Sequence, residues 1–335
     1  MGFPTFCYNQ LIVQPQLPTT TFTNQTIIVT GSNTGLGLAT ARHITKLGAE
    51  KVILAVRNTS AGEAARQSID STTGRTGVCE VWPLDLSSFD SVLSFADKAL
   101  TLPRLDVLIN NAAVATKIFS IADSGYEHSI TVNNISHLLL ALILLPKLRQ
   151  TGKDFPDRAH PPYISVLTSQ VHAWPSFPQR NDPLGILKAL SDPHTANMDE
   201  RYPVTKLLSI LLTQELVSRL AELESNPSVI ITLVEPGFCH SDLSRENQGI
   251  EAFVFDIMKT VFARKTEVGA RTIVTGVSVG KEAHGKYLVN GVVADEALGG
   301  LAVSEEGKEV QRRLWEEVSD VIERVKPGLL KELGL

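Results

Sequence analysis

A run of β-branched and aliphatic residues, Thr26-Ile27-Ile28-Val29-Thr30, passes without a spacer into Gly31-Ser32-Asn33-Thr34-Gly35-Leu36-Gly37, and helix-period residues follow at once. Strand, glycine turn and helix in that order constrain the fold more than any other segment. Gly31 permits a tight turn, Gly35 lets backbone approach phosphate oxygens, and Gly37 lets the helix pack on the sheet, so the helix N-terminus faces a pyrophosphate. Gly31, Asn33, Gly35, Leu36 and Gly37 are therefore candidate nucleotide contacts. The spacing G-x-x-x-G-x-G differs from the commoner G-x-G-x-x-G, and taken alone the glycines also fit an ordinary turn.

Further strand-like runs recur at Lys51–Val56, Val78–Leu84, Asp106–Asn110, Tyr163–Leu167, Val229–Val234 and Lys286–Val289, alternating with helix-length segments. This βαβ rhythm predicts an α/β fold: a Rossmann-type, doubly wound parallel sheet of seven strands flanked by helices, in a single domain. In the first helix Ala39, His43, Ile44 and Leu47 form the apolar side and Gly48 the stop; Leu207, Leu208, Leu211 and Leu212 make a wide apolar face on a helix over 204–223. Residues 1–21, with Pro4, Pro15 and Pro18, read as an arm on the surface of a domain spanning 22–300. Val310, Leu314, Val318 and Ile322 mark an amphipathic closing helix within 301–335. The proline-rich stretches Lys147–Pro162 and Trp174–Arg201 read as long loops, a common form for functional lids.

The bulk composition is that of a soluble globular protein, with 43% hydrophobic and 20% charged residues among 335. A net charge of −5 with dispersed Lys and Arg argues against nucleic acid or an anionic membrane as partner. Three cysteines without C-x-x-C or His-rich spacing indicate neither a disulfide framework nor a metal site, and point to a reducing compartment. No secretory signal is readable at the N-terminus, so a cytoplasmic location is expected. The longest apolar run, Leu138–Leu145, is far short of the roughly 20 residues of a membrane helix.

Three strand ends refine the ligand. At the second, Val56 is followed by Arg57 where an acidic residue would select an unphosphorylated ribose, so NADP(H) is preferred; an exposed cation without a ligand is the competing reading. Asp85, at the third, is placed to accept from an adenine amino group or else to cap the next helix. Asn110-Asn111-Ala112-Ala113 ends the fourth, where small residues let backbone approach a cofactor; a plain strand-end turn is the competing reading. Downstream, Tyr202 and Lys206 stand four apart on a helix and share a face, where an ammonium would favour the ionised phenol.

With Val132-Asn133, Leu167-Thr168-Ser169 and Glu235-Pro236-Gly237, these segments resemble the short-chain dehydrogenase/reductase superfamily in its order along the chain. Within it, the chain is similar to the retinol-dehydrogenase-like branch and its fungal relatives in secondary metabolism. The resemblance implies that Tyr202 is the general acid or base, that Lys206 supports it and binds the nicotinamide ribose, and that Ser169 binds the substrate oxygen. It further implies that Asn133 holds a relay water, that Asn111, Ala112, Pro236, Gly237 and Ser241 border the cofactor, and that two copies pair through helices near Ile135–Leu145 and Val204–Leu223. The expected activity is carbonyl–alcohol interconversion on an apolar small molecule, with NADP(H) and no metal; a non-catalytic NADP(H)-binding sensor or scaffold is the alternative. The chain departs from the family in Ala113, where glycine is usual, and in the 33 positions from Ser169 to Tyr202, which imply an enlarged substrate loop over 174–201.

Overall fold

In the structure, a computed structural model describing residues 3–157, 161–240 and 259–335, eight strands form one sheet. They are β1 (Thr26–Thr30), β2 (Lys51–Val56), β3 (Cys79–Pro83), β4 (Val107–Asn110), β5 (Tyr163–Leu167), β6 (Ile230–Glu235), β7 (Tyr287–Val289) and β8 (Val292–Val293). Their order is β3-β2-β1-β4-β5-β6-β7-β8, with all neighbours parallel except β7 and β8. The seven-strand expectation is thus corrected by one. Asn290 and Gly291, both at positive φ, make the two-residue turn that folds Val292–Val293 back on β7. The Asn-Gly signal stands in the sequence, but the strand after it is too short to register as a run.

The described helices are α1 (Phe3–Leu11), α2 (Gly35–Lys46), α3 (Thr59–Thr73), α4 (Phe89–Leu100), α5 (His128–Ile130), α6 (Ser136–Asp154), α7 (Ile186–Leu190), α8 (Arg201–Leu223), α9 (Thr266–Gly276), α10 (Glu305–Val325) and α11 (Leu329–Leu333). Strands buried on both faces, as in β1 and β6, require helices on both sides. Helices α2, α3 and α9 share one apolar core, while α4, α6, α8 and α10 share the other. Helix α6 continues past Pro146 to Asp154, into part of the stretch expected as loop, because Leu148 and Thr151 keep a buried face there. His128–Asp154 is long and apolar enough to cross a membrane, yet it lies almost entirely inside the protein. Its leucines, and those of α8 from Leu207 to Leu220, are core within the single chain.

The stretch 174–201 is organised rather than free. It holds a 3-10 turn (Pro178–Asn181) and α7, and both are tied to α10. Glu317 accepts from the Ile186 and Leu187 amides at 2.7 and 2.8 Å, Arg313 donates to the Arg180 and Asp182 carbonyls, and Arg180 pairs with Glu306. The stripe Val310, Leu314, Val318 and Ile322 is buried, as its spacing predicts.

Candidate active site

Strand order reverses between β1 and β4, and ligands of such sheets bind outside the strand ends at that point. Here the two chains leave the sheet in contact. Gly31 has φ +64°, and a Cβ on it would stand 2.9 Å from Ala112. Asn111 donates through Nδ2 to the Thr30 and Gly31 carbonyls at 2.8 and 3.2 Å, and the Asn111 and Ala112 amides both donate to Thr30 Oγ1 at 3.0 Å. A Cβ on Gly37 would meet Gly31 O at 2.4 Å and Asn111 Nδ2 at 2.5 Å. Around Gly35, φ +57°, a Cβ would meet nothing within 4 Å. The turn is sealed toward the sheet and open beside the first N–H groups of α2, which fits a phosphate. Asn33 and Leu36 lie half-buried on the same turn.

Arg57 is exposed one residue beyond β2, and the next residue, Asn58, caps α3 by accepting from the Ala61 amide. Asp85 is half-buried, and its Oδ1 accepts from the amide and hydroxyl of Ser87 at 2.9 and 2.7 Å. One carboxylate oxygen therefore serves the local turn.

Between α5 and α6, residues Thr131–Ile135 form a π-helical turn that places Asn133. Its Oδ1 accepts from the Val114 amide, while Nδ2 donates to Val114 O and to Thr205 Oγ1 on α8. Asn134 also reaches α8, donating to Thr205 O and Ser209 Oγ. A cavity of about 30 Å³ beside Asn133 is bordered by Asn110, Asn134, His137 and Ser209, enough for a water molecule. The amide oxygens of Asn110 and Asn134 have no hydrogen-bond partner among the described residues. Burial pushes His137 down to about 3, so the imidazole is neutral.

On α8, Lys206 is buried, donates through Nζ to Leu167 O at 2.8 Å and lies 5.5 Å from the centroid of the Tyr202 ring. Burial lowers its pKa to about 8. The half-buried Tyr202 is crowded by protein atoms that push its phenol well above the usual tyrosine value. The sequence suggests a phenol drawn toward ionisation, whereas here burial raises its pKa and favours the protonated form. Ser169, two residues past β5, opens the 3-10 turn Gln170–Ala173, which packs on α8. His172 joins Nδ1 to Ser169 O at 2.8 Å and accepts at Nε2 from the Gly299 amide, which fixes the Nδ1–H tautomer.

The structure thus brings Asn133, Tyr202 and Lys206 to one helix crossing, with the Ser169 turn packed on the same helix. Pro236 and Gly237 follow β6, and Gly237 has φ +84°. Ser241 lies outside the described residues. Among those described, no cluster of His, Cys, Asp and Glu could hold a metal. Sequence reading missed the buried contact of Arg201 with Glu127, 3.4 Å from Nε to Oε2, since the pair is 74 positions apart. The one available signal was an acidic residue preceding the helical Ser129 and Ile130, whose amides Glu127 caps.

Comparisons agree with this geometry. The family model described as short chain dehydrogenase matches residues 25–153. The chain is 37% identical over 334 residues to short-chain dehydrogenase anuD of Penicillium roqueforti, covering 98% of this chain and 85% of that one. It is 40% identical over 333 residues to short chain dehydrogenase/reductase dmxR8 of Cryptosporiopsis sp., covering 97% and 98%. An NADPH-bound carbonyl reductase from chicken fatty liver shares the fold, with TM-score 0.57 and 18% identity over 81% of this chain and 98% of that one. Identities of 37–40% along nearly the whole of this chain, on a sheet with this strand order and glycine turn, make it a member of the short-chain dehydrogenase/reductase family.

Proposed function

We propose that this oxidoreductase uses NADP(H) to interconvert a carbonyl and an alcohol on an apolar small molecule, in a fungal secondary-metabolite route. The observation that carries the reading is the placement of Tyr202 and Lys206 on one face of α8, joined through Thr205 to Asn133. The open turn at Gly35 supports the dinucleotide, and Arg57 beyond β2 supports a phosphorylated ribose. Trp174, exposed at the end of the turn that Ser169 opens, offers apolar surface to a substrate.

When bound, the nicotinamide cofactor would supply the hydride for reduction. Tyr202, whose environment keeps its phenol protonated, donates that proton to the substrate oxygen as charge builds there. The Ser169 hydroxyl donates a hydrogen bond to the same oxygen. The Lys206 ammonium, close to the Tyr202 ring, offsets the negative charge left on the phenolate. In the alcohol-oxidising direction the same groups act in reverse.

A screen of carbonyl compounds for NADPH oxidation by the purified protein, with Tyr202→Phe alongside, tests the reading. Turnover should fall about 10²–10⁴-fold in Tyr202→Phe while NADPH binding is kept. Full activity of that variant on an accepted substrate would overturn the role given to Tyr202.

A further inference from the structure

The N-terminal segment, expected as a surface arm, is fastened to the loop that follows β6. Gln10 at the end of α1 donates through Nε2 to Phe238 O at 2.8 Å and Phe262 O at 3.0 Å, and its Oε1 accepts from the Phe238 amide at 3.3 Å. Phe6 packs on Phe238 and Phe262, with ring centroids 6.5 and 5.8 Å away. From the other side, Arg264 donates through Nη2 to the carbonyls of Asn9 and Val13, and Arg271 reaches Pro15 O. Four side chains, an amide, a ring and two guanidinium groups, thus fix one short stretch of chain.

The fastened loop is the one that matters for the cofactor. Phe238–His240 pairs with Arg264 through backbone bonds of 2.8 and 2.9 Å and a parallel bridge at Cys239. A Cβ on Gly237 would lie 2.7 Å from Gln10 Oε1 and 2.9 Å from Arg264 Nη1, so the N-terminal segment bears directly on the Pro236–Gly237 turn. Through Gly269 of α9, the same turn touches the nucleotide cradle: a Cβ there would meet Cys239 Sγ, Leu36 Cδ2 and Pro236 O. Arg264 is buried, and its Nη1 has no hydrogen-bond partner among the described residues.

We infer that residues 3–15 are part of the cofactor site, with Gln10 as a positioning residue that sets the Pro236–Gly237 turn against the bound dinucleotide. The inference rests on the proposal above that this turn borders the cofactor. Gln10 touches no reacting atom; it holds the loop in the conformation that binds, so its loss lowers the fraction of competent protein and weakens the apparent affinity by that fraction.

Fluorescence titration of the full chain with NADPH tests this in wild type, Gln10→Met and Phe6→Ala. Both variants should bind NADPH at least about tenfold more weakly, reach near wild-type kcat at saturating NADPH, and melt within a few degrees of wild type without ligand. By reciprocity, NADPH should slow hydrogen exchange of the α1 amides in wild-type protein, a measurement that needs no variant. Dissociation constants within twofold of wild type, or α1 exchange unaffected by NADPH, would overturn the inference. A wild-type chain that binds no NADPH would instead sink the function proposed above, so the two failures are distinguishable.

Discussion

Arg201, the residue before Tyr202, makes its ion pair with Glu127 entirely inside the protein, with side chains 1% and 0% exposed. Arg201 also donates to Leu190 O at 2.6 Å, and the Glu127 amide donates to Ser191 Oγ at 2.9 Å. The pair therefore locks the start of α8 to the helix entrance that carries Asn133 and to the end of α7. Removing one partner strands a buried charge, so Arg201→Ala should cost about 3–5 kcal/mol, whereas Glu127→Leu with Arg201→Met should recover most of it. Chemical denaturation of both variants checks this, and a single variant costing under about 1 kcal/mol would contradict it.

A second expectation concerns pH and catalysis. Burial lowers Lys206 to about 8, so its ammonium is present below that pH and lost above it. The Tyr202 phenol is raised, which leaves the alkaline limb to Lys206. The rate of carbonyl reduction at saturating NADPH should therefore decline as pH rises through about 8, and a rate level to pH 9.5 would assign the limb elsewhere.

Glu235, buried at the end of β6, links pH to stability. Desolvation raises its pKa from 4.5 to about 7, only partly countered by Arg264. Its native state holds the proton where the unfolded chain has released it. The associated stability is full below about 4.5, declines as pH rises and is gone above about 7, a change of roughly 3 kcal/mol. Glu235→Gln should be the more stable protein at pH 8 and lose that advantage at pH 4; unfolding curves that stay parallel at both would refute it.

The proposed preference for NADP(H) rests on Arg57. Replacing it by Glu removes a cation beyond β2 and adds a repulsion, so NADPH affinity should fall about 10–100-fold while NADH affinity changes little. Paired titrations decide, and an unchanged preference would show that another group reads the ribose.

The strands and the glycine turn were legible because their signals are local: β-branched runs set β1 and β2, and Gly31 to Gly37 stand next to each other in the chain. The amphipathic stripe of α10 was equally open, since Val310, Leu314, Val318 and Ile322 repeat within one helix. Other features depend on partners far away. Gln10 meets Phe238 across 228 positions, and no pattern near Gln10 announces that contact. The raised phenol of Tyr202 escaped for a related reason, because spacing shows which charge is near and not how much water is excluded. Ala113 in place of the usual glycine has no evident structural explanation.

The ties between α10 and the 174–201 stretch bear on how that stretch could be exchanged between relatives. Glu317, Arg313 and Glu306 reach across more than a hundred positions to hold the stretch expected as a substrate loop. Insertion and closing helix are one mechanical unit. A chimera that swaps the insertion between relatives but leaves the last thirty-five residues behind would carry a loop without its fastenings, so an intact graft requires moving both together.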